Sequence, residues 1–91
     1  MKKKYSISCK AKWTKTGFTQ AFEGDIFEGK SKKEAIEKNL HCLWAIAMGN
    51  GWHCNVDYDK KQFVAFYPDG AIRMWYGFKA VLIKEVAQKK A

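Results

Sequence analysis

The stretch EGKSKKEAIEKNLHCLW (28–44) marks where strand gives way to helix. Ser31 is a favoured N-cap residue, and Glu34 follows it at the spacing of a capping box, in which each residue satisfies a backbone N–H of the other. Apolar residues then recur at the spacing of one helix face: Ile36, Leu40, Leu43, Trp44 and Ala47. Two glycines in GNG (49–51) end the pattern. The stretch predicts a helix over about 31–48.

Alternating patterns on both sides of this helix predict strands. Residues 5–13 alternate strictly, with Tyr5, Ile7, Cys9, Ala11 and Trp13 on one face. Residues 18–27 are a plausible partner strand, with Phe18, Phe22 and Ile26 on one face and a bulge or bend at Gly24. Segments 52–58, 62–67 and 71–76 complete the set. The second of these is apolar on both faces and is expected inside the sheet.

The last segment, 78–89, mixes VLI with Ala, Lys, Glu and Gln, which favour helix, and we predict a helix there. The fold class is then α+β: a small antiparallel sheet of about five strands with two helices, in the order ββαβββα. We find no linker and no repeat, so residues 1–91 are expected to form a single domain.

The charge is +8, from 17 basic residues against nine acidic ones, and Arg73 is the only arginine. Lysine acts as a mobile point charge, whereas arginine is the usual residue for bidentate reading of bases. The balance therefore favours non-specific attraction to polyanions. Residues 1–15 hold six lysines and no acid, and residues 16–29 hold three acids and no base.

Two groups of lysines are predicted to contact nucleic acid. Lys30, Lys32 and Lys33 surround the helix start, where free N–H groups and the helix dipole favour a phosphate. Lys10 and Lys12 lie on the outer face of the first strand and extend the basic N-terminal residues into one basic edge. A basic strand face and a basic helix start together could embrace a phosphate backbone. For Lys30, Lys32 and Lys33, solvated surface lysines are the simpler interpretation.

The motif GKSKKEA (29–35), which follows a strand and opens a helix, resembles the last strand-to-helix junction of double-stranded-RNA-binding domains. The resemblance implies that Lys32 and Lys33 contact phosphates across a groove. The family's third basic position in this helix falls on Ile36, and the family begins with a helix, whereas this chain begins with a hairpin. The hairpin-then-helix pattern also resembles small antitoxin domains with a truncated RNase H fold, in which this helix start carries no RNA site.

Metal binding and catalysis are weakly supported by the sequence. The pairs His41-Cys42 and His53-Cys54, with Cys9, offer five candidate ligands for zinc, but adjacent residues diverge on a helix or strand and no C-x₂-C spacing occurs. A thiol nucleophile lacks an orienting acid at a known spacing. We therefore expect no metal, no cofactor and no enzymatic activity, with three reduced cysteines in a cytoplasmic protein.

Two functions remain. The first is a small, basic, non-enzymatic binding protein that contacts nucleic acid, with RNA favoured over DNA. The second is a protein-interaction module, such as a small bacterial or phage regulator or inhibitor. A membrane partner is not expected, because no apolar stretch approaches the ~20 residues of a span. The oligomeric state is left open by the sequence.

Overall fold

The computed structural model describes residues 2–85, which form five strands and one helix. Their bounds are β1 (Lys3–Trp13), β2 (Thr19–Gly29), α1 (Lys32–Gly49), β3 (His53–Asp57), β4 (Gln62–Phe66) and β5 (Ile72–Glu85). The strands form one antiparallel sheet in the order β2-β1-β5-β4-β3. The last strand thus enters the middle of the sheet, and β1 and β4 are interior strands as well.

The predicted order ββαβββα, with two helices, is wrong. Residues 78–85 of the predicted second helix continue β5, and residues 86–89 lie outside the described part of the chain. Phe78 and Ala80 are buried while Lys79 between them is exposed, which is the period of a strand. Helix propensity is worth at most about 0.7 kcal/mol per ordinary residue, so pairing with β1 overrides it.

Helix α1 lies across one face of the sheet and closes the core. The core contains four residues of the helix and six of the sheet: Ala35, Ile36, Leu40 and Ala47 with Tyr5, Ile7, Phe63, Ala65, Phe78 and Ala80. Alternate positions of β1, β4 and β5 therefore point toward the helix, which is why the strands show alternating burial.

The helix begins where the sequence predicts, with a small change in its cap. The hydroxyl Oγ of Ser31 accepts a hydrogen bond from the N–H of Glu34 at 3.2 Å. The Glu34 carboxylate accepts from the N–H of Lys30, one residue before the position expected for a capping box. Gly29 is buried against this turn, and a Cβ there would lie 3.0 Å from the backbone nitrogen of Ala35.

Two bulges flank the middle of β1. The register of β1 with β2 shifts between Ile7 and Cys9, and its register with β5 shifts between Ser8 and Lys10. Gly24 and Gly77, on the two neighbouring strands, have φ angles of +93° and +67°, conformations that only glycine adopts without strain. Because β2 gains a residue there, the prediction that Phe22 and Ile26 share a face is wrong.

Candidate nucleic-acid interface

The sheet face opposite α1 is not covered by a helix anywhere in residues 2–85, and we call it the uncovered face. Its residues alternate with the buried ones and include Lys4, Ser6, Ser8, Lys10 and Lys12 of β1, Ile26 and Glu28 of β2, Val64 and Phe66 of β4, and Ile72, Met74, Tyr76, Lys79 and Val81 of β5. None of the apolar residues in this set is fully buried. The face therefore combines lysines with apolar and aromatic surface.

Lys10 and Lys12 lie on this face, as the alternation of β1 predicts, and both are exposed. Lys10 is directly opposite Tyr76 on β5, and Lys12 is opposite Met74. Tyr76 and Met74 are half-buried. Each lysine thus has an apolar or aromatic neighbour on an open surface, which is the combination that single-stranded nucleic acid requires.

Sequence reasoning missed Lys79, which lies on the same face opposite Ser8. Its segment was predicted to be helical, so its face could not be assigned. The alternation of Phe78, Lys79 and Ala80 was the signal that could have found it. A depression of about 290 Å³ lies at the two bulges, and Lys10, Lys79 and Glu23 are among the residues that line it.

Lys30, Lys32 and Lys33 are exposed at the start of α1, but they are far from Lys10 and Lys12. The register places Gly29 opposite Lys3, at one end of β1, and Thr19 opposite Lys12, at the other end. Nine residues of strand span about 30 Å, and α1 lies on the other face of the sheet. The two groups of lysines therefore do not form one contiguous cluster, and the predicted basic edge is wrong, because β1 is interior.

The start of α1 already holds a carboxylate of its own. The hydrogen bond from the Lys30 N–H lowers the pKa of Glu34, and the positive charges of Lys38, Lys30 and Lys2 lower it further. A deprotonated Glu34 thus occupies part of the positive end of the helix dipole and would repel a phosphate placed there. This carboxylate makes the helix start less favourable for a phosphate than its lysines alone would make it.

Arg73 lies on the helix side of the sheet and is enclosed by aromatic rings. Its guanidinium carbon is 4.8 Å from the ring centroid of Trp13, 5.1 Å from that of Trp75 and 5.4 Å from that of Phe22. It also donates a hydrogen bond to the side chain of Gln20. These contacts join β1, β2 and β5 beyond the helix, so Arg73 acts as a structural cation rather than as part of the uncovered face.

The thiols and imidazoles are dispersed. Burial, and secondarily the charge of Asp25, raises the pKa of Cys9 to about 11, so this thiol is poorly nucleophilic. Cys42 is exposed on α1, and His41 stacks on Trp44 with 5.3 Å between ring centroids. Within residues 2–85, no group of three or more His, Cys, Asp or Glu side chains could hold a metal ion.

Comparisons with protein-family models, with curated proteins and with solved structures find no match for this chain. Neither of the two family resemblances thus gains support beyond the residues that carry it. No helix in the described residues is long and apolar enough to cross a membrane.

Proposed function

We propose that this protein is a non-enzymatic module that binds nucleic acid, RNA in the first place, through the uncovered face. One observation carries the proposal: Lys10 and Lys12 are exposed on an open sheet face, directly opposite the half-buried Tyr76 and Met74. Residues two apart on a strand point the same way and lie about 7 Å apart. The two ammonium groups can therefore follow a phosphate backbone while bases pack on the sheet.

The chemistry of this face suits single-stranded nucleic acid better than sequence-specific recognition of a duplex. Tyr76 and Phe66 offer rings to unpaired bases, and stacking of this kind tolerates any base. The cations of the face are lysines, which neutralise phosphates without reading base edges. Arg73, the only arginine of the chain, is enclosed by the rings of Trp13 and Trp75 on the other side of the sheet.

The test compares two double variants that remove the same charge from different places. Lys10→Ala with Lys12→Ala changes the uncovered face, and Lys32→Ala with Lys33→Ala changes the helix start. Fluorescence anisotropy with single-stranded RNA, single-stranded DNA and duplex RNA gives affinities at several salt concentrations. The first variant should lower the slope of log affinity against log salt by about 1.4, since each phosphate contact on a single strand contributes about 0.7.

The second variant should weaken binding only slightly, through the loss of net charge, and should change the slope by much less than about 1.4. Tyr76→Ala should weaken binding by about 1–3 kcal/mol at every salt concentration, because it removes a stacking surface and no charge. Absence of binding at low salt would refute the proposal. A slope that changes with the helix-start variant alone would move the site there, and a preference for duplex RNA would remove the role of Tyr76.

A second candidate function, a protein-interaction module such as a regulator or inhibitor, is favoured by the helix. Trp44, Ile46 and Met48 are exposed on the C-terminal half of α1. A groove of about 400 Å³ beside Trp44 is lined in part by His41, Trp44 and Tyr58. Apolar residues exposed in this way are common at protein interfaces. Loss of a partner protein with Trp44→Ala, and not with Lys10→Ala, would support this function over the first.

A further inference from the structure

The described part of the sheet has three free backbone edges: β2, β3 and part of β5. β4 pairs with β5 only from Ile72 to Trp75, whereas β1 pairs with β5 as far as Glu85. The side of β5 that faces away from β1 thus lacks a strand partner within the described chain from Gly77 onward. An unpaired edge of this kind is a template for another strand.

Two of these edges carry features that prevent pairing with another chain. β2 has a bulge at Gly24 and three carboxylates, Glu23, Asp25 and Glu28, so two copies of it would bring acids together. β3 is only five residues long and ends at Asp57. Bulges, charges and short length are the usual protections of natural edge strands.

The edge of β5 has bulges at Gly77 and at Ile83, where its register with β1 shifts between Lys4 and Tyr5, but it carries no carboxylate between them. After the bulge at Gly77, the residues up to Ile83 contain one charge, Lys79. Val81 is 63% exposed, and Leu82 and Ile83 are each 46% exposed, so apolar side chains project to solvent on both faces of the strand. A segment with an open backbone and apolar side chains on both faces loses the most water when another strand pairs with it.

The single charge of this edge, Lys79, does not oppose pairing with a second copy of the same chain. In an antiparallel pair, two residues directly opposite each other have side chains on the same face of the sheet. The two-fold axis between two identical strands must therefore pass through a residue position, where a residue lies opposite its own copy, and not between two residues. Pairing about Val81 places Ala80 opposite Leu82 and Lys79 opposite Ile83. The two copies of Lys79 are then four residue positions apart, about 13 Å, which exceeds the Debye length of about 10 Å at 0.1 M salt.

We infer that two copies of this chain associate through residues 79–83 of β5, paired antiparallel about Val81 to form one continuous sheet. The two-fold axis is perpendicular to the sheet, so both uncovered faces lie on the same side. Lys10, Lys12 and Lys79 of each copy then belong to one longer basic surface. The association itself requires no nucleic acid and is independent of the proposed function.

The test is sedimentation velocity of the free protein over a range of concentrations, without nucleic acid. The unaltered protein should approach twice the chain mass of 10.5 kDa as its concentration rises. Val81→Lys places two like charges at the axis and should weaken association by at least about tenfold. Ile26→Lys is the matched control: this residue is 56% exposed, lies on the same face and is on the protected edge, so association should not change.

Cross-linking tests the register even if Val81→Lys folds poorly. Val81→Cys should form a disulfide between two copies on mild oxidation, because residues at the axis have Cα atoms about 4.5–5.5 Å apart. Ile26→Cys should not, and peptide mapping distinguishes both from the three native cysteines. The inference is overturned if the unaltered protein keeps the mass of one chain, if Ile26→Lys dissociates it as strongly as Val81→Lys, or if the Val81→Cys protein forms no such cross-link.

Discussion

The two faces of β1 place opposite demands on the same eleven residues. On one face, Tyr5 and Ile7 are 4% and 2% exposed and pack in the core beneath α1. On the other, Lys10 and Lys12 are exposed to solvent. Within β1, burial stabilises the fold through the first face, and the second face is open to solvent. The comparison teaches that the parity of a residue along this strand decides whether its replacement should affect stability or only the exposed surface.

The largest expected effect is on the covered face. Leu40 is fully buried beneath the helix, and Leu40→Ala should reduce the free energy of unfolding by about 2–5 kcal/mol, through lost burial and the cavity left behind. A domain of this size has only several kcal/mol of stability, so the variant should be largely unfolded at modest urea concentration. Urea unfolding followed by circular dichroism measures the change.

Ile46→Ala is the control for that experiment, because Ile46 is on the same helix and is 52% exposed. Its cost should stay below about 1 kcal/mol, since a half-exposed side chain buries little area. Equal costs for the two variants would mean that α1 does not pack on the sheet through Leu40, and the distinction between covered and uncovered faces would fail.

Gly29→Ala should have the next largest effect, because it tests the contact that attaches the helix start to the sheet. A Cβ at this position would lie 3.0 Å from the backbone nitrogen of Ala35, so the helix start must move. We expect the free energy of unfolding to fall by about 1–3 kcal/mol. Gly49→Ala is the matched change at the other end of the helix, where a Cβ meets nothing within 4 Å. It should be neutral or stabilising by up to about 1 kcal/mol. If the two variants unfold at the same urea concentration, the close contact between position 29 and the start of the helix is contradicted.

Sequence patterns predicted local structure well where burial decided it. The alternation in β1 placed Tyr5, Ile7 and Ala11 among the buried residues, and the helical spacing did the same for Leu40. The pattern failed at β5, because propensity favoured a helix and the pairing that overrules it comes from a strand more than 60 residues earlier in the chain. Bulges are also hard to place from sequence, since a single extra residue moves every later side chain to the other face.

The candidate interface was predicted only in part, because periodicity assigns a residue to a face but does not identify its neighbours on other strands. Lys10 and Lys12 were assigned to one face by period alone, and the structure places them there. Their neighbours Tyr76 and Met74 could not be found, because which strands lie side by side depends on the order β2-β1-β5-β4-β3, and sequence periodicity does not encode it. The separation of the helix start from these lysines depends on the same order.

The smallest expected effect sharpens the comparison most, because it changes the helix start and neither face of the sheet. Lys32→Glu with Lys33→Glu replaces two exposed cations in the first turn of α1 with acids, which suit the positive end of a helix dipole. The free energy of unfolding should stay constant or rise by up to about 1 kcal/mol, a gain that repulsion from Glu34 limits. Affinity for nucleic acid should fall only slightly, with the net charge, and the salt slope should change by much less than the value of about 1.4 expected for two lost phosphate contacts. A slope lower by about 1.4 would show that the helix start contacts two phosphates of a single strand. In that case the two basic clusters, about 30 Å apart along β1, would both bind, and a bound strand would have to pass around the end of the sheet rather than lie on one face of it.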